Sequence, residues 1–243
     1  MQDVRPVRRV ERSRFASYDA SQWPFTLPAV AQLLRDGLDL PAGVTFLVGE
    51  NGSGKSTLVE ALAGAYGLNL EGGSRSAQFA TRHSESDLAG AVHLVRSPGR
   101  LQSSYFLRAE TMHGLYSYLE DNPTPDPHRP DVAFHRMSHG ESFLALLGSR
   151  FQGYGLFLMD EPEAALSFRS CLALVALLDD LRREGAQVVV ATHSPLLTAL
   201  PGAHLLEVGE HGIRPTTWAE LDLVADWRSF LDGPERFLRH LLE

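Results

Sequence analysis

The chain has 243 residues, 44% hydrophobic and 21% charged, which suits an ordinary globular protein able to bury an ample core. No apolar run approaches the roughly 20 residues of a membrane span, and the opening residues lack the apolar segment of a signal peptide. A net charge of −8 argues against a surface that coats nucleic acid, and the lone Cys171 allows no internal disulfide, which suits a reducing cytoplasm.

Along the chain, the first 20 residues read as edge strands, with Pro6 confining that segment to an edge. Arg5, Arg8, Arg9, Arg12 and Arg14 in this stretch form either a local basic patch or a solvated strand face. A turn and a short helix over Ala29 to Arg35 follow. Val44 to Val48 then reads as a buried strand, and Ser56 to Ala65 as a helix. Between strand and helix lies Gly49-Glu50-Asn51-Gly52-Ser53-Gly54-Lys55-Ser56-Thr57, the spacing of a phosphate-binding loop. Its Lys55 is the only lysine among 22 basic residues. A compact ammonium on a flexible stem can reach β- and γ-phosphate oxygens where a guanidinium fork does not fit. Strand, glycine loop and helix aim successive N–H groups and a helix N-terminus at a polyphosphate. Asn51 to Thr57 are therefore the candidate binding residues for a nucleoside triphosphate with Mg²⁺.

Polar, turn-rich segments at Glu71 to Asp87 and Asp121 to Asp131 read as loops. Between them, Val92 to Val95 and Tyr105 to Leu107 read as strands and Thr111 to Glu120 as a helix. A helix from Glu141 to Arg150 precedes the apolar strand Leu156 to Met159, which ends in Asp160-Glu161. Acids delivered to the C-terminal edge of a buried strand predict a metal site: Asp160 with Ser56 for Mg²⁺, and Glu161 for polarising a water. After a long helix, Ala165 to Arg183, the strand Val188 to Ala191 carries His193 to the same edge. There the imidazole can donate to a γ-phosphate oxygen. A hairpin near His204 to Ile213 and two amphipathic helices after Trp218 end the chain. The apolar stripe of those helices is expected to pack on the sheet, with a partner-docking face as the alternative.

Met137-Ser138-His139-Gly140-Glu141 stands between the phosphate loop and Asp160. With it, the ordered set resembles the ABC ATPase superfamily: phosphate loop, signature, Asp160-Glu161, the D-loop Ala164-Ala165-Leu166-Ser167, and His193. The flanking residues are most similar to small stand-alone ATPases related to the SMC and DNA-repair branch. The resemblance implies an α/β P-loop fold, with a mostly parallel central sheet flanked by helices and an N-terminal antiparallel β region. It also implies one domain over 1–243, with a helical signature subregion at about 96–150. ATP would join two copies head to tail, Ser138 and the Gly140 backbone touching the partner's γ-phosphate, with Lys55, Glu161 and His193 serving hydrolysis as a switch. His139 and Glu141 depart from the usual signature residues. Gln102 is the expected Q-loop metal ligand, with Gln78 and Glu110 competing, and Trp23 or Phe25 either stacks on adenine or joins the core. The alternative function is the nucleotide-binding subunit of a transporter. No membrane partner is expected, because the signature is atypical and no clear Q-loop is present. Nucleic acid is an open partner that the acidic charge does not favour.

Overall fold

The computed structural model describes residues 5–70, 72–73, 87–98, 103–111 and 139–242. The expected helix at Thr111 to Glu120, the two loops, and Gln78, Gln102 and Ser138 lie outside these residues, apart from the ends at Thr111, Gly72–Gly73 and Asp87. Two sheets organise the described chain. Strand β1 (Val7–Arg12) pairs antiparallel with both β2 (Leu38–Asp39) and β4 (Val92–Arg96), forming the small sheet in the order β2-β1-β4. The large sheet adds β3 (Gly43–Val48), β5 (Ser103–Arg108), β6 (Gly155–Asp160), β7 (Gln187–Thr192), β8 (His204–Gly209) and β9 (Gly212–Thr216) in the order β5-β6-β7-β3-β8-β9. The first five of these are mutually parallel, and only β9 runs antiparallel, as the return strand of a hairpin. This matches the expected mostly parallel sheet with an N-terminal antiparallel region.

The two faces of the large sheet feed separate cores. On one face, Leu47, Phe106, Leu158, Val189 and Ala191 pack under α1 (Pro28–Asp36), α2 (Lys55–Tyr66) and the small sheet. On the other, Val44, Phe46, Phe157, Met159 and Val190 pack under α4 (His139–Arg150) and α5 (Phe168–Arg183); the short α3 (Leu88–Ala91) leads into β4. Residues 156–159 and 188–191 are wholly buried, as both faces of a parallel sheet must be when helices cover each side. One buried side chain ties the small sheet to the large one. Gln187, at the start of β7, accepts from Val7 N at 2.9 Å and donates through Nε2 to Val7 O at 2.8 Å and Pro41 O at 3.0 Å.

Three expectations change. The long helix begins at Phe168, not Ala165, because Pro162–Ala165 forms a 3₁₀ turn and Ser167 caps α5 by accepting from Ser170 N. Helix α4 opens at His139, two residues earlier than expected, so the Gly140 backbone lies in its first turn. The last two helices, α6 (Asp222–Asp232) and α7 (Pro234–Leu242), do not lay their stripe on the sheet. Val224 is buried, but Leu231, Leu241 and Leu242 are 68%, 77% and 81% exposed. The physical reason is prior occupancy, since α4 and α5 already cover that face.

Candidate nucleotide site

The phosphate loop is shaped by close approach. A Cβ on Gly49 would collide with the carbonyl oxygen of Val208 on β8, and Gly54 adopts φ 102°, a left-handed conformation that suits glycine. Gly54 caps α2 without any side-chain bond, which leaves the first-turn N–H groups open to an anion. Lys55 is 3% exposed and donates from Nζ to Glu50 O at 2.8 Å, an internal bond that curls the loop around its own ammonium. Burial pushes that ammonium below its ordinary value, while Glu161, Asp160 and Glu163 pull it back.

Strands β6 and β7 bring the acids and the histidine to the C-terminal edge beside the loop. Asp160 is buried, and burial pushes its carboxyl up to about 6 against the opposing pull of a Ser56 hydrogen bond and the Arg108 charge. Its Oδ1 is buried without a partner, as is Ser53 Oγ within the loop. These orphaned oxygens, the Ser56–Asp160 contact and the uncapped helix suit a triphosphate with a divalent cation. Glu161 is held at φ 47°, the one non-glycine positive φ among the described residues. Such strain gathers at functional sites. Its Oε1 lies 3.2 Å from His193 Nε2. That approach is a near contact only, because Nε2 is buried and lacks an aligned hydrogen-bond partner.

The sequence reading missed two residues. Glu163 accepts from Thr192 Oγ1 and from His193 N, both at 2.6 Å, so it pins the His193 backbone to the turn after β6. Its place in Asp160-Glu161-Pro162-Glu163 was a visible signal, overshadowed by the first two acids. Arg108 pairs in register with Asp160 across β5 and β6. An arginine ending the otherwise apolar run Tyr105-Phe106-Leu107 was the available sign. Ser103 opens β5 opposite Gly155, at the end of the strand away from the phosphate loop, and Gln102, the expected Q-loop residue, lies outside the described residues. The residues that β5 carries to the phosphate edge are Arg108 and, just beyond it, Glu110. Of the two aromatics, Phe25 is buried and stacked on Tyr18 at 4.4 Å, which is the core reading, whereas Trp23 is exposed. A cleft of about 680 Å³ opens over the outer side of the loop, bounded by Asn51, Gly52, His193, Glu210, Asp226 and Trp227.

A glycine loop between β3 and α2, with paired acids at the end of a neighbouring parallel strand, defines a P-loop nucleotide-binding fold. This chain aligns with AAA/ABC-type ATPase domains. Residues 117–199 match the family described as "AAA domain, putative AbiEii toxin, Type IV TA system", and residues 32–96 match a second AAA domain family. Among curated relatives, the ribose import ATP-binding protein RbsA 1 of Rubrobacter xylanophilus is 34% identical over 81% of this chain and 41% of its own length. The ribose import ATP-binding protein RbsA 2 of Streptomyces coelicolor is 31% identical over 79% of this chain and 38% of its own. The chain thus spans about two-fifths of the length of these relatives. An inward-facing metal-chelate-type ABC transporter superposes with a TM-score of 0.51 at 18% identity, covering 89% of this chain and 85% of that one, a likeness of fold. No helix among the described residues is long and apolar enough to cross a membrane.

Proposed function

We propose that the chain, read as one domain over 1–243, hydrolyses ATP to ADP and phosphate and works as a cytoplasmic molecular switch through an ATP-dependent head-to-tail homodimer. The observation that carries this reading is the meeting of four chemistries at one sheet edge. Lys55 and the open α2 N-terminus are placed to neutralise phosphate charge, and Asp160 with Ser56 to hold Mg²⁺, which when bound would offset charge on the phosphate oxygens. Glu161 is placed to take a proton from the attacking water. His193, its backbone set by Glu163, would donate to the γ-phosphate. The cleft beside Asn51 and Gly52 supports the dimer part of the reading, because it leaves the outer side of the loop open to a second copy. In that dimer, Ser138 and the Gly140 backbone act on the partner's nucleotide.

Glu161→Gln tests the reading. The variant should bind ATP, fail to turn over, and elute as a dimer with Mg-ATP and as a monomer without it. A monomer in both conditions defeats the dimer, and full turnover removes Glu161 from its role. A second reading, the nucleotide-binding subunit of a transporter, is favoured by the 34% identity with a ribose import ATP-binding protein. Co-purification with a membrane protein would choose it.

A further inference from the structure

We propose that Arg108 is a positioning residue that keeps the Asp160 site closed to a bare divalent cation, so that metal enters only together with a triphosphate. The inference rests on the ATP-binding reading above only in naming the triphosphate. Its basis is the arrangement of three carboxylates around one guanidinium. Arg108 Nη1 lies 2.9 Å from Glu60 Oε1 on α2, Nη2 lies 3.2 Å from Glu110 Oε2, and Nε lies 3.7 Å from Asp160 Oδ2. Arg108, Glu60 and Asp160 side chains are 20%, 13% and 6% exposed, so solvent screens their charges weakly. Carboxylate oxygens are the ligands that Mg²⁺ prefers, although no three acids among the described residues stand as a ready-made metal cluster. Without the arginine, the uncompensated negative charge of this corner would draw a cation to the free Asp160 oxygen.

The guanidinium alters that in two ways. It engages Glu60 and Glu110, and it sets a fixed positive charge where an approaching cation meets repulsion. Arg108 Nε is buried without an aligned hydrogen-bond partner, so Asp160 is near the arginine yet not tied to it. Asp160 Oδ1 correspondingly stays free for a ligand. A triphosphate brings several negative charges to the same corner. Those charges attract the metal and the arginine alike, and so make metal and nucleotide bind cooperatively.

The experiment measures metal binding with no nucleotide present, using Mn²⁺ by electron paramagnetic resonance and Mg²⁺ by shift of the melting temperature. Arg108→Gln should bind Mn²⁺ at least about tenfold more tightly than the native chain, ~1.4 kcal/mol. It should also gain a Mg²⁺-dependent rise in melting temperature that the native chain lacks. Arg108→Lys, which keeps the charge, should behave as the native chain does. The gain should vanish in the double variant Arg108→Gln/Asp160→Asn. Arg108→Met, which keeps an apolar stem, replaces Arg108→Gln if the latter does not fold. Equal metal affinity in native and neutral variants overturns the proposal, as does a gain that survives loss of Asp160. Failure of the native chain to bind ATP would instead strike the proposed function and leave the metal titration intact.

Discussion

Lys55 and Asp160 carry opposite charges, and burial works against both. For the lysine the adjoining carboxylates oppose burial without cancelling it, and the ammonium stays below its ordinary value. For the aspartate, burial prevails over Ser56 and Arg108, and its carboxyl titrates near 6. The consequence for stability has a definite sign. Between the ordinary carboxylate range and about pH 6, the folded chain binds a proton at Asp160 that the unfolded chain has released. Stability therefore falls as pH rises through that window. Relative to Asp160→Asn, the metal-free native chain should lose on the order of 2 kcal/mol between about pH 4 and 7, read from denaturant melts of both proteins. Saturating Mg-ATP should shrink that loss. Glu161→Gln should lower turnover by about 10²- to 10⁴-fold with ATP affinity retained, checked by phosphate release and by nucleotide titration. Glu163→Ala strips acceptors from Thr192 Oγ1 and His193 N. It should cost roughly 1–3 kcal/mol of stability and lower turnover together, measured by melts and assay on one preparation.

Elements are set by what their sequences can bury. The runs Leu156 to Met159 and Val188 to Ala191 were legible because four consecutive apolar residues bounded by polar ones fit a strand buried on both faces. The phosphate loop was legible because its glycine spacing answers a steric demand, now seen in the Gly49–Val208 approach. Gly49→Ala should separate β3 from β8 and cost more than about 2 kcal/mol while abolishing ATP binding, read by melts and nucleotide titration. Helix ends were less legible. Ser167 and Pro162 were both visible, but only the turn they build decides that α5 starts at Phe168. Gln187 was not legible at all as the fastener of the small sheet, because its partners lie 180 and about 147 positions away. Gln187→Leu should leave the Val7 N–H and C=O unpaired and destabilise the chain by roughly 2–4 kcal/mol, seen as a lower denaturant midpoint.

At the scale of the molecule, one sheet edge gathers groups from β3, β5, β6 and β7, and helices cover both faces beneath it. The C-terminal helices stand apart from this economy. Phe230 meets Phe237 edge-on at 5.7 Å, so α6 and α7 touch each other while Val224 anchors α6 to the core, and their outer leucines stay exposed. Replacing Leu241 and Leu242 by glutamate should leave the melting temperature within about two degrees, since neither side chain is buried on folding.

The sequence by itself determined the chemistry along each strand and loop: the lone lysine in its glycine frame, the paired acids after a buried strand, and the histidine 33 positions later. Each of these is a local pattern, fixed by sterics or by burial within a few residues. Tertiary structure alone decided which strand lies beside which. It brought Arg108 to the edge next to Asp160, tied Glu163 to the His193 backbone, and left the outer leucines of the last helices exposed. Those outcomes depend on register and on competition for buried surface, which arise only when distant segments meet.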